Sequence, residues 1–368
     1  MKVLQLLPEL NQGGVERGTI DMVEGLIANG HEAHVISAGG SLVKQIEALG
    51  GVHHTLPIHR KHIKSLFVIP SLIKHVNEIK PDIIHVRSRI PAWLNNFSMS
   101  KYIKKPLLIT TFHGLYSVSG YSKIMTKAHR VIAISNTVKS HILEQYRIHP
   151  AKVSVITRGC DTKKLTPGVL DQTWLQAWYR EFPQTKNKKV LSMVSRLSEK
   201  KGFDYFIRLI AQLDDNHHGL IVGSLTHCKP KFLASLKQLV HELKLTEKIT
   251  FCDLRHDVKE IYALSDITYA LKIEPEAFGR TVIESIQMKT PVIGWDIGGV
   301  AESLKQLFPY GLVPLKDEAT LLEKTKEILS GQSIKMNSNP FTKDKMVSET
   351  LSVYKAMLRQ QAMEKVDA

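Results

Sequence analysis

Residues 273–293 read IEPEAFGRTVIESIQMKTPVI, and the reading of this stretch decides the fold. A Pro-containing loop passes Phe278-Gly279 and enters a helical pattern from Thr281 to Ile286. The pattern breaks at Pro291, where a short apolar strand, Pro291-Val292-Ile293, begins. Glu276 and Glu284 stand eight residues apart, one in the loop and one about a turn and a half into the helix. The N–H groups near Arg280-Thr281, with the partial positive charge of a helix N-terminus, suit a phosphate. A carboxylate one turn further in accepts hydrogen bonds from vicinal hydroxyls, as on a ribose, and one in the preceding loop does so for a second sugar. The stretch therefore predicts a pocket for a nucleoside diphosphate joined to a sugar. The competing reading is an ordinary loop and helix, because two Glu at this spacing recur often by chance.

At 368 residues the chain exceeds one core of usual size, so two domains are expected. Its 23% charged and 43% hydrophobic residues are those of a soluble globular protein. No run of eighteen apolar residues occurs, and MKVLQLLP reads as a first buried strand rather than a signal peptide. Cys160, Cys228 and Cys252 show neither metal spacing nor a disulfide framework, which points to a reducing cytoplasm. The net charge of +15 is uneven: residues 1–165 hold 22 Lys/Arg against 10 Asp/Glu, and 12 of the 17 His. A basic half suggests an anionic partner, whether nucleic acid, an acidic membrane face or a phosphorylated acceptor.

The chain opens as strand (2–7), loop, helix (15–29) and strand (32–37), the start of a nucleotide-binding α/β domain. The loop holds Gly13 and Gly14 rather than a dinucleotide fingerprint. Paired glycines let the backbone approach a bulky anionic ligand, and a tight turn needing positive φ is the alternative. HRKHIK at 59–64 is a basic cluster before an amphipathic helix over 65–79, a solvated face or a membrane contact. The strand at 81–86 leads to Arg87-Ser88-Arg89 and Pro91-Ala92-Trp93. Two arginines beyond a strand's carboxyl end can fork onto carboxylate or phosphate oxygens, with surface ion pairs as the alternative. A strand over 107–112 ends in His113-Gly114, where a histidine is placed to reach a bound sugar.

Residues 166–188 read as a linker carrying one helix around 173–181. A second domain begins with the strand at 189–194 and the loop from Ser195 to Gly202. Arg196 and Lys201, five apart around this loop, can converge on one diphosphate and offset its charge without a metal. Strands at 220–224, 249–254 and 266–271 follow, the last delivering the 273–293 stretch. Gly298-Gly299 stands after it, and a polar gap at 331–339 precedes a closing helix over 343–365. The divisions expected are 1–165, the linker 166–188, 189–335, and a terminal segment 340–368 crossing back to the first domain.

Taken together, Gly13-Gly14, His113-Gly114, Arg196, Lys201, Glu276, Glu284 and Gly298-Gly299, with EAFGRTVIES and its trailing TPVI, resemble the retaining family 4 glycosyltransferases. The resemblance covers nearly the whole chain and is strongest in its second half. It implies an α/β fold of the GT-B type, two Rossmann-like doubly wound domains facing across a cleft. The acceptor would lie on the first domain and the nucleotide sugar, UDP-, GDP- or ADP-linked, on the second. Gly13 and Gly14 would lie over the donor diphosphate, His113 would face the sugar, and Gly298-Gly299 would form a donor-side loop. Glu276 and the backbone at Phe278-Gly279 would hold sugar hydroxyls, and Glu284 the ribose. Arg158 is a departure, standing where the family usually has Asn.

The string HVRSRIPAW looks like transferases acting on lipopolysaccharide, which implies a glycan or glycolipid acceptor held by Arg87 and Arg89 at the inner face of the cytoplasmic membrane. The resemblance suggests a front-face retaining mechanism in which the leaving phosphate helps to deprotonate the acceptor, with no metal or other cofactor. An epimerase or phosphorylase of the same fold would need acid–base carboxylates or a cofactor lysine that the sequence does not show. A nucleic-acid-binding protein would account for the charge, but the basic residues lack interleaved aromatic stacking platforms.

Overall fold

The computed structural model describes residues 1–11, 13–60, 63–331 and 334–366. It divides into two compact units: Met1–Gly159 together with the chain from Lys343 onward, and Cys160–Thr342.

The first unit is a sheet of seven parallel strands: β1 (Lys2–Leu6), β2 (Glu32–Ser37), β3 (Val52–Thr55), β4 (Ile83–Val86), β5 (Leu107–Phe112), β6 (Arg130–Ala133) and β7 (Val153–Val155). Their order is β3-β2-β1-β4-β5-β6-β7. The register sets Val3 beside Ala33 on one side and Ile83 on the other. β4 and β5 are buried along their whole length, as parallel strands covered on both faces must be. Val3, Val23, Leu26, Val35, Ile83 and Ile109 share a core with Leu351, Tyr354 and Met357 of the terminal helix Lys343–Val366.

Six parallel strands make the sheet of the second unit: β8 (Lys189–Val194), β9 (His217–Val222), β10 (Ile249–Cys252), β11 (Ile267–Ala270), β12 (Val292–Trp295) and β13 (Leu312–Val313). They run β10-β9-β8-β11-β12-β13. Successive residues of a strand point to opposite faces, and β8 shows the result. Leu191 and Met193 pack with Phe203, Phe206 and Tyr269, whereas Val190 packs with Trp178, Leu220 and Ile261. Each unit is thus a Rossmann-like doubly wound domain, and the fold is GT-B.

Several expectations shift. The boundary at 165 and the linker at 166–188 give way to a division at Gly159–Cys160. The supposed linker carries the helix Gln172–Glu181, whose Trp178 is buried and donates to Thr185 Oγ1 at 2.9 Å. That indole is core for the second unit, so the segment is no spacer. The second unit runs on to Thr342, past the expected end at 335. The expected helix over 65–79 is a 3₁₀ turn, Ile63–Val68, followed by an α-helix, Ile69–Ile79. Pro70 falls in the first turn, where its missing N–H leaves nothing unsatisfied. Pro91-Ala92-Trp93 lies in a helix, Arg89–Ser98, rather than a loop. Lys61 and His62 of the basic cluster, and Gln332 and Ser333 of the polar gap, lie outside the described residues. Among the described residues no helix is long and apolar enough to cross a membrane.

Candidate active site

Ligand sites of open parallel sheets sit beyond the carboxyl ends of strands where the strand order reverses. In the second unit that point lies between β8 and β11, and the loops leaving these two strands are 195–202 and 271–279. Ile273 N donates to Lys200 O at 3.0 Å, which joins the two loops through their backbones. Lys201 Nζ then lies 2.7 Å from Glu276 Oε1, and Lys200 pairs with Glu274 at the same distance. Lys272 donates to Pro275 O at 3.2 Å. Burial holds its ammonium below the ordinary lysine pKa; the Lys201 charge adds to this and the Glu276 carboxylate opposes it. Arg196 is exposed on the first loop and makes no ion pair among the described residues.

The helix Arg280–Gln287 follows directly, with Gly279 before its first turn and Thr281 half-buried within it. Glu284 Oε1 accepts from Arg280 Nη2 at 2.7 Å, and its Oε2 accepts from the Tyr262 hydroxyl at 3.2 Å. Tyr262 is fully buried, and burial together with the Glu284 charge pushes its phenol far above the ordinary value. It therefore stays a donor. Tyr262 was not anticipated; the signal was a tyrosine on the apolar side of the Val258–Leu264 helix, whose hydroxyl needs a polar partner once buried.

Gly298 and Gly299 open the helix Gly298–Leu307, so the expected donor-side loop is a helix start. Gly299 N donates to Glu276 O at 2.6 Å. Gly298 has φ 60°, and a Cβ there would lie 2.7 Å from Glu276 N. The glycines let this helix close onto the backbone that carries Glu276, and that explains them without a direct ligand contact. Phe278 is likewise turned into the core, edge-on to Phe341 at 5.6 Å, and its carbonyl accepts from Arg280 N at 3.2 Å.

In the first unit the order reverses between β1 and β4. Gly13 is extended, with φ 169°, and Gly14 is the first residue of the helix Gly14–Ala28, so the positive-φ turn does not form. Both glycines are exposed. Arg158 donates from Nη2 to Gly14 O at 2.6 Å. Its Nη1 occupies the place where a Cβ on Gly18 would lie, 1.9 Å away, so the helix admits this arginine only because residue 18 is glycine. The arginine at the family's Asn position is therefore a strut under the glycine pair.

Arg87 and Arg89 correct the picture of two exposed forks. Arg87 is 3% exposed and donates from Nε to Gln5 Oε1 at 2.8 Å, because Gln5 is a buried polar residue of β1 that needs a partner. Arg89 lies over the rings of Tyr116 and Tyr121, 4.7 and 5.2 Å from their centroids, and donates to Ser122 Oγ. Neither forms an ion pair among the described residues. His113 follows β5, and both ring nitrogens are buried without a hydrogen-bond partner among the described residues. Burial, then the charges of Arg158 and Arg87, hold it far below the ordinary histidine pKa and therefore neutral.

Comparison with known proteins identifies the family. Residues 12–164 match Glycosyltransferase Family 4, and residues 176–343 match Glycosyl transferases group 1. A glycosyltransferase from Rickettsia africae is 30% identical, with 97% of this chain and 98% of that one aligned at a TM-score of 0.86. The chain belongs to the family 4 GT-B glycosyltransferases. This transferase is also 24% identical to the N-acetyl-alpha-D-glucosaminyl L-malate synthase of Bacillus anthracis, across 91% of each chain. Its fold is shared by Anabaena Alr3699/HepE in complex with UDP and glucose, at 19% identity, complete coverage of both chains and a TM-score of 0.77.

Proposed function

We propose that this glycosyltransferase moves a sugar from a nucleoside-diphosphate sugar to an anionic glycan or glycolipid acceptor, with retention of anomeric configuration. The observation that carries the reading is the grouping on one rim of the second unit: the paired Lys201 and Glu276, and Glu284 eight residues on. Glu284 would accept from the ribose hydroxyls, exchanging part of its bond to Arg280. The partial positive charge of the helix start at Arg280-Thr281 suits the diphosphate. Arg196 and Lys201 would meet the charge that grows on it, and Glu276 would hold the sugar hydroxyls. A cation already fixed within the site needs little reorganisation as the leaving group charges.

The bond from the anomeric carbon to the phosphate oxygen breaks, and its electron pair leaves with the diphosphate. The acceptor oxygen attacks the same face, and its proton passes to the departing phosphate. UDP is the first nucleotide to test, since HepE was solved with UDP and glucose. An anionic acceptor is supported by the basic residues 1–165 and by the Bacillus relative, named as an N-acetyl-alpha-D-glucosaminyl L-malate synthase. Attachment to an acidic membrane face is supported by Ile103, 77% exposed in a stretch that also holds Lys101, Lys104 and Lys105, and by Phe67, 82% exposed.

The test is a thermal-shift series of UDP, GDP and ADP and their sugars on the wild type and on Glu284→Ala. One series should stabilise the wild type by mass action, and the variant should lose that shift. Turnover with the selected donor should give a product of unchanged anomeric configuration by NMR and should persist in EDTA. An inverted product would remove the retaining mechanism, and loss of turnover in EDTA would remove the metal-free one.

A further inference from the structure

Beneath the carboxyl ends of β4 and β5 the first unit has a partly open cavity of about 20 Å³, lined by Gly18, His85, Arg87, Thr111, His113 and Arg158 among others. A volume of this size admits one water-sized atom. Its polar lining is unevenly satisfied. His85 is closed off, with Nδ1 bonded to the Tyr354 hydroxyl at 2.5 Å and Nε2 to Thr111 Oγ1 at 2.6 Å. Arg158 is engaged at Gly14 O. The Nη2 of Arg87 and both ring nitrogens of His113 are buried and have no partner among the described residues.

Positive charge gathers at this lining. Two guanidinium groups border the cavity, and Asp21 is the carboxylate whose charge acts on Arg87. His85 and His113 are neutral for want of solvation. A buried guanidinium with an unused donor is unfavourable unless an acceptor completes it, and its best complement is an oxyanion oxygen. Neutral imidazole beside it supplies one more N–H.

We propose that this cavity is an oxyanion subsite, taking one oxygen of a carboxylate or phosphoryl group carried by the acceptor. Arg87 Nη2 and one nitrogen of His113 donate to that oxygen, and the rest of the group stays at the cavity mouth. The subsite rests on the anionic-acceptor reading above and gives that reading its binding atoms. It also gives the inward turn of Arg87 a purpose that a fork at the surface would not have.

The experiment uses the full chain at constant ionic strength, with inorganic phosphate or malonate replacing chloride. Saturable stabilisation of the wild type by at least one of these is expected, with binding at least tenfold weaker in Arg87→Met. UDP should shift both proteins equally. No response beyond chloride in the wild type, or an undiminished response in Arg87→Met, overturns the subsite and leaves the cavity to a water molecule. Should Arg87→Met fail to fold, two readouts remain. Arg87→Lys, which keeps the charge and loses the planar fork, should bind several-fold more weakly. In the wild type the His113 ring resonances should move with phosphate or malonate and not with chloride; still resonances overturn the proposal. Loss of the UDP shift in the wild type counts against the donor reading and leaves the oxyanion result legible.

Discussion

Lys201 Nζ and Glu276 Oε1 meet at 2.7 Å across 75 residues of sequence. The cation read as a partner of the diphosphate and the carboxylate read as a partner of the sugar are thus held by one another. Each is partly exposed, so the pair itself adds about 0–1 kcal/mol to stability. In the proposed mechanism its weight falls on catalysis. Lys201→Met should lower kcat/KM by about 10²- to 10³-fold, the usual effect of deleting one preorganised donor. The Tm should barely move, and a parallel collapse of Tm would reassign the pair to folding.

On the proposed reading Tyr262 meets the donor only through Glu284, to which its hydroxyl donates, so its variant should separate positioning from binding. Tyr262→Phe removes one hydrogen bond to a carboxylate, worth about 1.5–3 kcal/mol. Nucleotide affinity should fall roughly tenfold while kcat at saturating donor holds, which titration calorimetry and steady-state kinetics can read. A fall in kcat with unchanged affinity would contradict the ribose assignment for Glu284.

Gly298→Ala tests the backbone contact under Glu276. The position combines left-handed φ with a Cβ placed 2.7 Å from Glu276 N. Strain of about 1–3 kcal/mol is expected in unfolding free energy, with loss of activity beyond what the stability change explains. Near-wild-type turnover would mean that the helix start is not what fixes the Glu276 loop.

Acid should loosen the fold through its buried histidines. Burial lowers the pKa of His85 and His113 far below the ordinary value and that of His218 to about 4. A depressed histidine leaves the unfolded chain binding the proton more readily, so stability is full above about pH 6.5 and is lost as pH falls. Each such group costs about 1.4 kcal/mol per pH unit below that point until its folded-state pKa is reached. The Tm should drop between pH 6.5 and 5, and His218→Gln should flatten the slope. A Tm that holds steady across that window would contradict the burial argument.

Much of this was legible in the chain itself. Glu276, Arg196 and Lys201 stand in loops at strand exits and Glu284 in the helix that follows one of them, places that the order of elements along the chain announces. What escaped was decided by distant partners. Trp178 looked like part of a spacer because its pocket is made by Val190, Leu220 and Ile261. Arg87 looked exposed because nothing near it in sequence announces Gln5 as its partner. Strand β3, Val52-His53-His54-Thr55, sits half-buried at a sheet edge and shows no hydrophobic alternation. His54 and His53 face neighbours on β2 there, bonding His34 and Ser37.

The terminal helix has a consequence for biosynthesis. Leu351, Tyr354 and Met357 complete the core of a unit whose other residues end at Gly159. A growing chain emerges from its N-terminus, so that unit waits unfinished while Cys160–Thr342, which is continuous, can fold. The unit begun first is completed after the other, and its apolar face stays uncovered until the helix Lys343–Val366 has been made.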